Sequence, residues 1–165
     1  MKKIFLILLI TLFTSNCFAE DVFIANENGY TKYLRSETAN AKVLPKSDQL
    51  STFEMTYSLL LVPDKPTLDM LKNQTLDNKI AYKKQTFIFK CSFNKIQNQW
   101  NPDGTLWITN DEIWGGAPTA LCLYQLQGNM PAGPYYGDTP EANTNRNTVI
   151  AIYNYIVSHN LITYY

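Results

Sequence analysis

The chain has 165 residues, with 14 Lys and Arg against 14 Asp and Glu, so its formal net charge is zero. Without a broad positive field it cannot neutralise the phosphates of a nucleic-acid backbone, and nucleic acid is excluded as a partner class. The length suits one domain with one core.

Met1-Lys2-Lys3 is a short basic start, Ile4 to Phe13 a nearly unbroken apolar run, and Thr14-Ser15-Asn16 a polar exit. Cys17-Phe18-Ala19 then puts small residues at the two positions a signal peptidase reads. This order predicts a bacterial secretory signal peptide over 1–19 and one exported domain over 20–165, periplasmic or secreted. The alternative is a lipoprotein signal with Cys17 lipidated, but Thr14-Ser15-Asn16 lacks the small apolar pair that such a cysteine follows. The apolar run is too short for a comfortable bilayer span, and no later segment has the length of a transmembrane helix. Removing Cys17 leaves an even pair in an oxidising compartment, which predicts a Cys91–Cys122 disulfide.

Val22 to Leu34 reads as a hairpin turning at Asn28-Gly29. Arg35 to Lys46 is polar and rich in small residues, the character of a surface connection with a short helical turn that ends at Pro45. From Gln49 to Val62, Phe53, Met55, Tyr57, Leu59 and Leu61 alternate with Thr52, Glu54, Thr56 and Ser58, predicting a half-buried strand. Pro63-Asp64-Lys65-Pro66 stops it. Asp64 or Thr67 then caps a short helix whose stripe is Leu68, Leu71 and Leu76.

Ile80 to Phe93 returns to strand, with a parity slip across Lys83-Lys84-Gln85 that predicts a bulge. Asn101-Pro102-Asp103-Gly104 is a turn in which proline presets φ and glycine accepts a positive φ. Thr105 to Thr109 is a strand, Asn110 to Pro118 a long connection, and 119–126 a further strand. A disulfide needs Cα atoms within about 7 Å, and a plain meander would hold these strands about 9–10 Å apart. The expected bridge therefore puts strand 119–126 either beside strand 87–95 or across from it.

Gly128 to Asn147 is the longest irregular stretch, a length that marks functional or disordered loops. Thr139-Pro140-Glu141 starts a helix, Val149, Ile152, Tyr153, Ile156 and Val157 form its apolar face, and Asn160 ends it. Leu161 to Tyr165 adds a short last strand. The whole predicts an α+β fold: a mainly antiparallel sheet carrying a short middle helix and a C-terminal helix, with one disulfide. The helical period of 149–157 and the few long alternating segments argue against an outer-membrane barrel.

His159 is the only histidine and sits in the last turn of that helix, where a cation complements the dipole. Two distant cysteines and one isolated histidine do not make a zinc site, and Gly115-Gly116 lacks the spacing and Lys-Ser/Thr partner of a phosphate loop. No cofactor is expected. Asp111 and Glu112, with Asp103 and Asp138, are the carboxylates that a small envelope hydrolase would use. Neighbours on a strand face opposite ways, which makes Asp111 and Glu112 a poor pair.

Trp100, Trp107 and Trp114 recur at every seventh position, but the intervening prolines and glycines exclude one continuous helix. Trp107, inside a strand, is expected in the core. Trp100 beside its turn and Trp114 beside Gly115-Gly116, together with Tyr135 and Tyr136, are expected to form an aromatic platform for a protein or glycan partner. An exported binding domain is thus the leading expectation. A hydrolase and a structural subunit of an envelope or secretion assembly are the alternatives.

Overall fold

A computed structural model of the chain describes residues 20–48, 50–74, 80–94, 99–100, 104–115, 122–134 and 137–165. The expected signal segment 1–19, Leu76, Asp103, Tyr135 and Tyr136 lie outside them. Strands β1 (Asp21–Glu27) and β2 (Tyr30–Arg35) form the expected hairpin. Asn28 and Gly29 both take positive φ, 53° and 79°, the combination a two-residue turn of this twist requires.

The segment expected to be a surface connection is structured. A 3-10 turn at Ser36–Thr38 leads through the buried Ala39 into strand β3 (Asn40–Pro45), in which Ala41 is buried. Alanine is a weak strand former, which hid the alternation of Ala41 and Val43 with Asn40 and Lys42. β3 pairs with Ser51–Thr56 of the 14-residue strand β4 (Leu50–Pro63), while β2 pairs with Leu59–Pro63 of the same strand. Tyr57 and Ser58 fall between the two neighbours. There the Ser58 N–H donates to Thr38 Oγ1 at 2.8 Å, and that hydroxyl donates in turn to the Arg35 carbonyl at 2.7 Å. The turn thus replaces the strand that β4 lacks at this point.

Asp64 begins helix α1 (Lys65–Gln74), its carboxylate accepting from the Thr67 N–H at 2.9 Å. Strand β5 (Ile80–Asn94) pairs with β4 in unbroken register from Leu61↔Lys83 to Leu50↔Asn94. The expected bulge at Lys83–Gln85 is therefore not there. Tyr82 and Phe87 lie on opposite faces of a regular strand, and the register shifts occur against β7, at Ala81 and at Thr109. Gly104 does not adopt positive φ. Its lack of a side chain matters for contact, since a Cβ there would lie 2.4 Å from the Phe89 ring.

Strand β6 (Gln99–Trp100) is a short addition to the end of β5. Strand β7 (Thr105–Gly115) runs well past Thr109, and strand β8 (Cys122–Pro131) runs past Gly128, whose φ of 153° fits a break in the ladder. Both stretches were expected to be loop. The register shift at Thr109 and Gly128 lets the two strands keep pairing on either side.

The path across the sheet is β1-β2-β4-β5-β7-β8, all antiparallel. The final strand β9 (Ile162–Tyr164) pairs in parallel with β3 at the other side. The architecture is one sheet of mostly antiparallel strands with a helix near the C-terminus, mostly β with some helix. Among the described residues no helix is long and apolar enough to cross a membrane.

The expected Cys91–Cys122 disulfide is corrected by this topology. β8 lies beside β7, so β5, β7 and β8 are the plain meander that the bridge would exclude. Cys122 pairs with Trp114, which pairs with Tyr82, and Cys91 lies nine positions further along β5. At about 3.3 Å per residue that is roughly 30 Å along the strands. Among the described residues no two cysteines lie at disulfide distance. Cys91 is buried beside Phe53 and Phe89, as its sequence parity predicted.

Helix α2 (Pro140–Ser158) starts as expected, with Pro140 in its first turn and Thr139 Oγ1 accepting from the Ala142 N–H at 3.2 Å. Val149, Ile152 and Ile156 are buried against Phe53, Met55, Tyr57 and Leu59 of β4 and their cross-strand neighbours, and Ala142 is buried nearer the start of the helix. Asn160 ends it in the left-handed region, φ 55°. The His159 Nδ1 lies 2.8 Å from the Tyr155 carbonyl and its ring stacks on Tyr155 at 4.1 Å, so the histidine closes the helix.

Candidate binding surface on the face away from helix α2

Residues of β4, β5 and β7 that point away from α2 are partly or fully exposed, with Ser58 and Glu112 the buried exceptions among those described. Ser58 Oγ and Thr86 Oγ1 hydrogen-bond each other at 2.9 Å, which explains how a buried serine is tolerated there.

Glu112 is the hub of this face. Asn110 Nδ2 donates to its Oε1 at 2.6 Å, Trp114 Nε1 to its Oε2 at 2.7 Å, and Gln125 Nε2 to Oε1 at 3.4 Å. Lys84 Nζ stands 3.8 Å from Oε2. Only 6 % of Glu112 is exposed, and this ring of donors compensates its desolvation. The cluster ties β7 to β5 and β8. It is a structural carboxylate, committed to donors on both oxygens.

Trp114 belongs to this cluster and not to a loop. Its indole N–H is bound by Glu112, and its ring stacks on Tyr82 at 6.0 Å and 13°. Trp100 lies on β6 opposite Phe93, eleven positions along β5 from the Tyr82–Trp114 pair. That is roughly 35 Å at strand rise. The expected platform of Trp100 and Trp114 is therefore not assembled. Tyr135 and Tyr136, its other expected members, lie outside the described residues.

Trp107, expected in the core, is 37 % exposed on this face. A cleft of about 220 Å³ runs beside it, lined by Ile88, Lys90, Trp107, Thr109 and Asn129. Ile88 is its direct cross-strand neighbour. Lys90 is held by Glu54 at 2.8 Å, and Thr109 Oγ1 donates to the Thr86 carbonyl at 3.3 Å. An indole face thus sits among amide, hydroxyl and ammonium groups. The signal for this site was present in Thr105 to Thr109: Leu106 and Ile108 share the core parity, so Trp107 shares the other one with threonines.

Among the described residues the candidate carboxylates do not pair. Asp111 and Glu112 occupy successive positions of β7 on opposite faces, and Asp138 is exposed just before α2. Among the described residues no three His, Cys, Asp or Glu side chains converge to hold a metal ion. Comparison with family models, with curated proteins and with solved structures finds no match.

Proposed function

We propose that the chain is an exported bacterial binding domain that recognises a glycan through the strand face around Trp107. The observation that carries this reading is an exposed indole near the start of strand β7, flanked by Lys90, Thr109 and Asn129. A sugar ring presents C–H groups to an aromatic face and hydroxyls to the polar groups around it, and a rigid ring binds with little entropy loss. A protein partner covers about 800 Å² on each side, a wider area than this cleft supplies. The basic and apolar leader over 1–19 supports export. The commitment of Glu112 to three donors and the Lys84 ammonium, with Asp111 on the other face, weighs against a carboxylate hydrolase.

The test is a glycan array probed with the wild-type protein, Trp107→Ala and Asn129→Ala, each first checked for an unchanged melting curve. The expected result is a set of bound glycans whose signal falls tenfold or more in Trp107→Ala and less in Asn129→Ala. Equal signals from wild type and Trp107→Ala would remove Trp107 from recognition and sink the proposal.

A further inference from the structure

The buried stripe of α2 changes character along its length. Val149, Ile152 and Ile156 fill the half nearer the C-terminus, while the half nearer the N-terminus offers Asn145 and Thr148 at core-facing positions. Under those two residues lies a half-open cavity of about 250 Å³. Its floor is the α2-facing side of the sheet, where Leu59, Leu61, Phe87, Leu106 and Ile108 form an apolar surface across β4, β5 and β7.

The polar lining is Lys32, Tyr57, Gln85, Asn145 and Thr148. Thr148 is only 7 % exposed, and among the described groups nothing hydrogen-bonds its Oγ1. Such a hydroxyl in an apolar site is costly to keep unless something bonds it. Asn145 uses its Nδ2 on the Pro134 carbonyl at 2.9 Å, which leaves the amide oxygen as an acceptor. Among the described lining residues Lys32 alone is charged, with Glu27 2.8 Å from its ammonium and its side chain 13 % exposed. An ammonium has three N–H groups, so one carboxylate partner leaves two.

We propose that this cavity binds a small amphiphile, a hydrocarbon body with a single carboxylate head. The body would lie on Leu59, Phe87 and Leu106, and the head would accept from Lys32 and from the Thr148 hydroxyl. The size fits the class: about 150 Å³ holds benzene, and drug-sized ligands take about 300 Å³ or more. The N–H groups that Lys32 keeps beyond its Glu27 pair favour an acid over an alcohol, because bonds to charged groups are about twice as strong. The site is separate from the Trp107 face, on the other side of the sheet, and stands whether or not a glycan binds there.

The test is calorimetric titration of the purified protein with butanoate, hexanoate, octanoate and octan-1-ol. Octanoate is expected to bind with a dissociation constant below about 1 mM. Affinity should rise roughly fourfold per methylene from butanoate to octanoate, the signature of apolar burial. Thr148→Val should weaken octanoate about fivefold. Lys32→Gln should weaken it tenfold or more while leaving octan-1-ol unchanged. Ala132→Phe, which fills the cavity from its rim, should abolish binding, with Thr148→Val as the second variant if that protein does not fold. Absence of any heat or shift with octanoate overturns the site. Equal binding of octanoate and octan-1-ol, or a wild-type affinity in Lys32→Gln, overturns the carboxylate assignment.

Discussion

The indole N–H of Trp114 points into the strand face and donates to Glu112 at 2.7 Å, while the ring stacks on Tyr82. Its polar atom and one ring face are engaged within the sheet, which gives the residue a structural part. Trp114→Phe keeps the stack and removes one donor from a buried carboxylate. The expected cost is about 1.5–3 kcal/mol of unfolding free energy, measured by urea denaturation. Trp107→Ala, from an exposed position, should cost about 1 kcal/mol or less. The reverse order would mean that Trp107, and not Trp114, is the structural indole.

Sequence alternation located β4 and the α2 register correctly, because Phe53, Met55, Tyr57 and Leu59 on one element and Val149, Ile152 and Ile156 on the other bury large side chains at one clear period. It failed where polar residues continue a strand. Asn110, Asp111 and Glu112 have low strand propensity, yet they extend β7 because Glu112 gathers donors from β5, β7 and β8. That compensation is tertiary, so no local window contains it. The disulfide expectation failed for a related reason. Parity put Cys91 among phenylalanines correctly, but only strand order and register reveal that Cys122 pairs at the far end of β7. The Trp107 site was legible in the parity of Thr105 to Thr109, had the face been weighed above the burial habit of tryptophan.

The Thr38 hydroxyl bridges the gap between β2 and β3 by accepting from the Ser58 N–H. Thr38→Val keeps the shape and leaves that backbone donor without its acceptor. The expected loss is about 1–3 kcal/mol, since an unsatisfied donor carries its whole desolvation cost. Hydrogen exchange gives the local readout: the Ser58 amide should exchange at least tenfold faster in Thr38→Val, with Thr38→Ser restoring protection. An unchanged Ser58 amide would show that the strand gap is closed by something else.

Cys91 and Cys122 are separated by nine positions along β5, so the folded chain has no intramolecular bridge between them. A bridge closing this loop would stabilise the fold by about 3–4 kcal/mol, and reduction would lower the melting temperature visibly. The expected melting temperatures with and without reductant are the same. In denaturant without reductant, both cysteines should titrate as thiols, with Cys91 reacting only after unfolding because it is buried. A mature chain lighter by two hydrogens would contradict this arrangement.

Asp64 and Tyr30 sit together beside the first turn of α1 and predict both limbs of the pH–stability profile. The side chain and the backbone N–H of Thr67 hold the Asp64 carboxyl below its ordinary range. The folded state therefore binds that proton less tightly than the unfolded chain does. Its stabilising contribution is complete above the usual carboxylate range, near pH 4, and is lost as pH falls through the lowered folded value. Burial, and secondarily the Asp64 charge, push the Tyr30 phenol up. The folded state then holds this proton more tightly, so the contribution is complete below about pH 10 and lost as pH rises through the raised folded value. Urea melts across both limbs are expected to flatten on the acid side in Asp64→Asn, which keeps a capping oxygen, and on the alkaline side in Tyr30→Phe. Asp64→Asn should also lower the Tyr30 pKa only part of the way back, because burial is the larger cause and survives the substitution. A complete return of Tyr30 to its ordinary value in Asp64→Asn would assign its shift to charge alone and reverse that ranking.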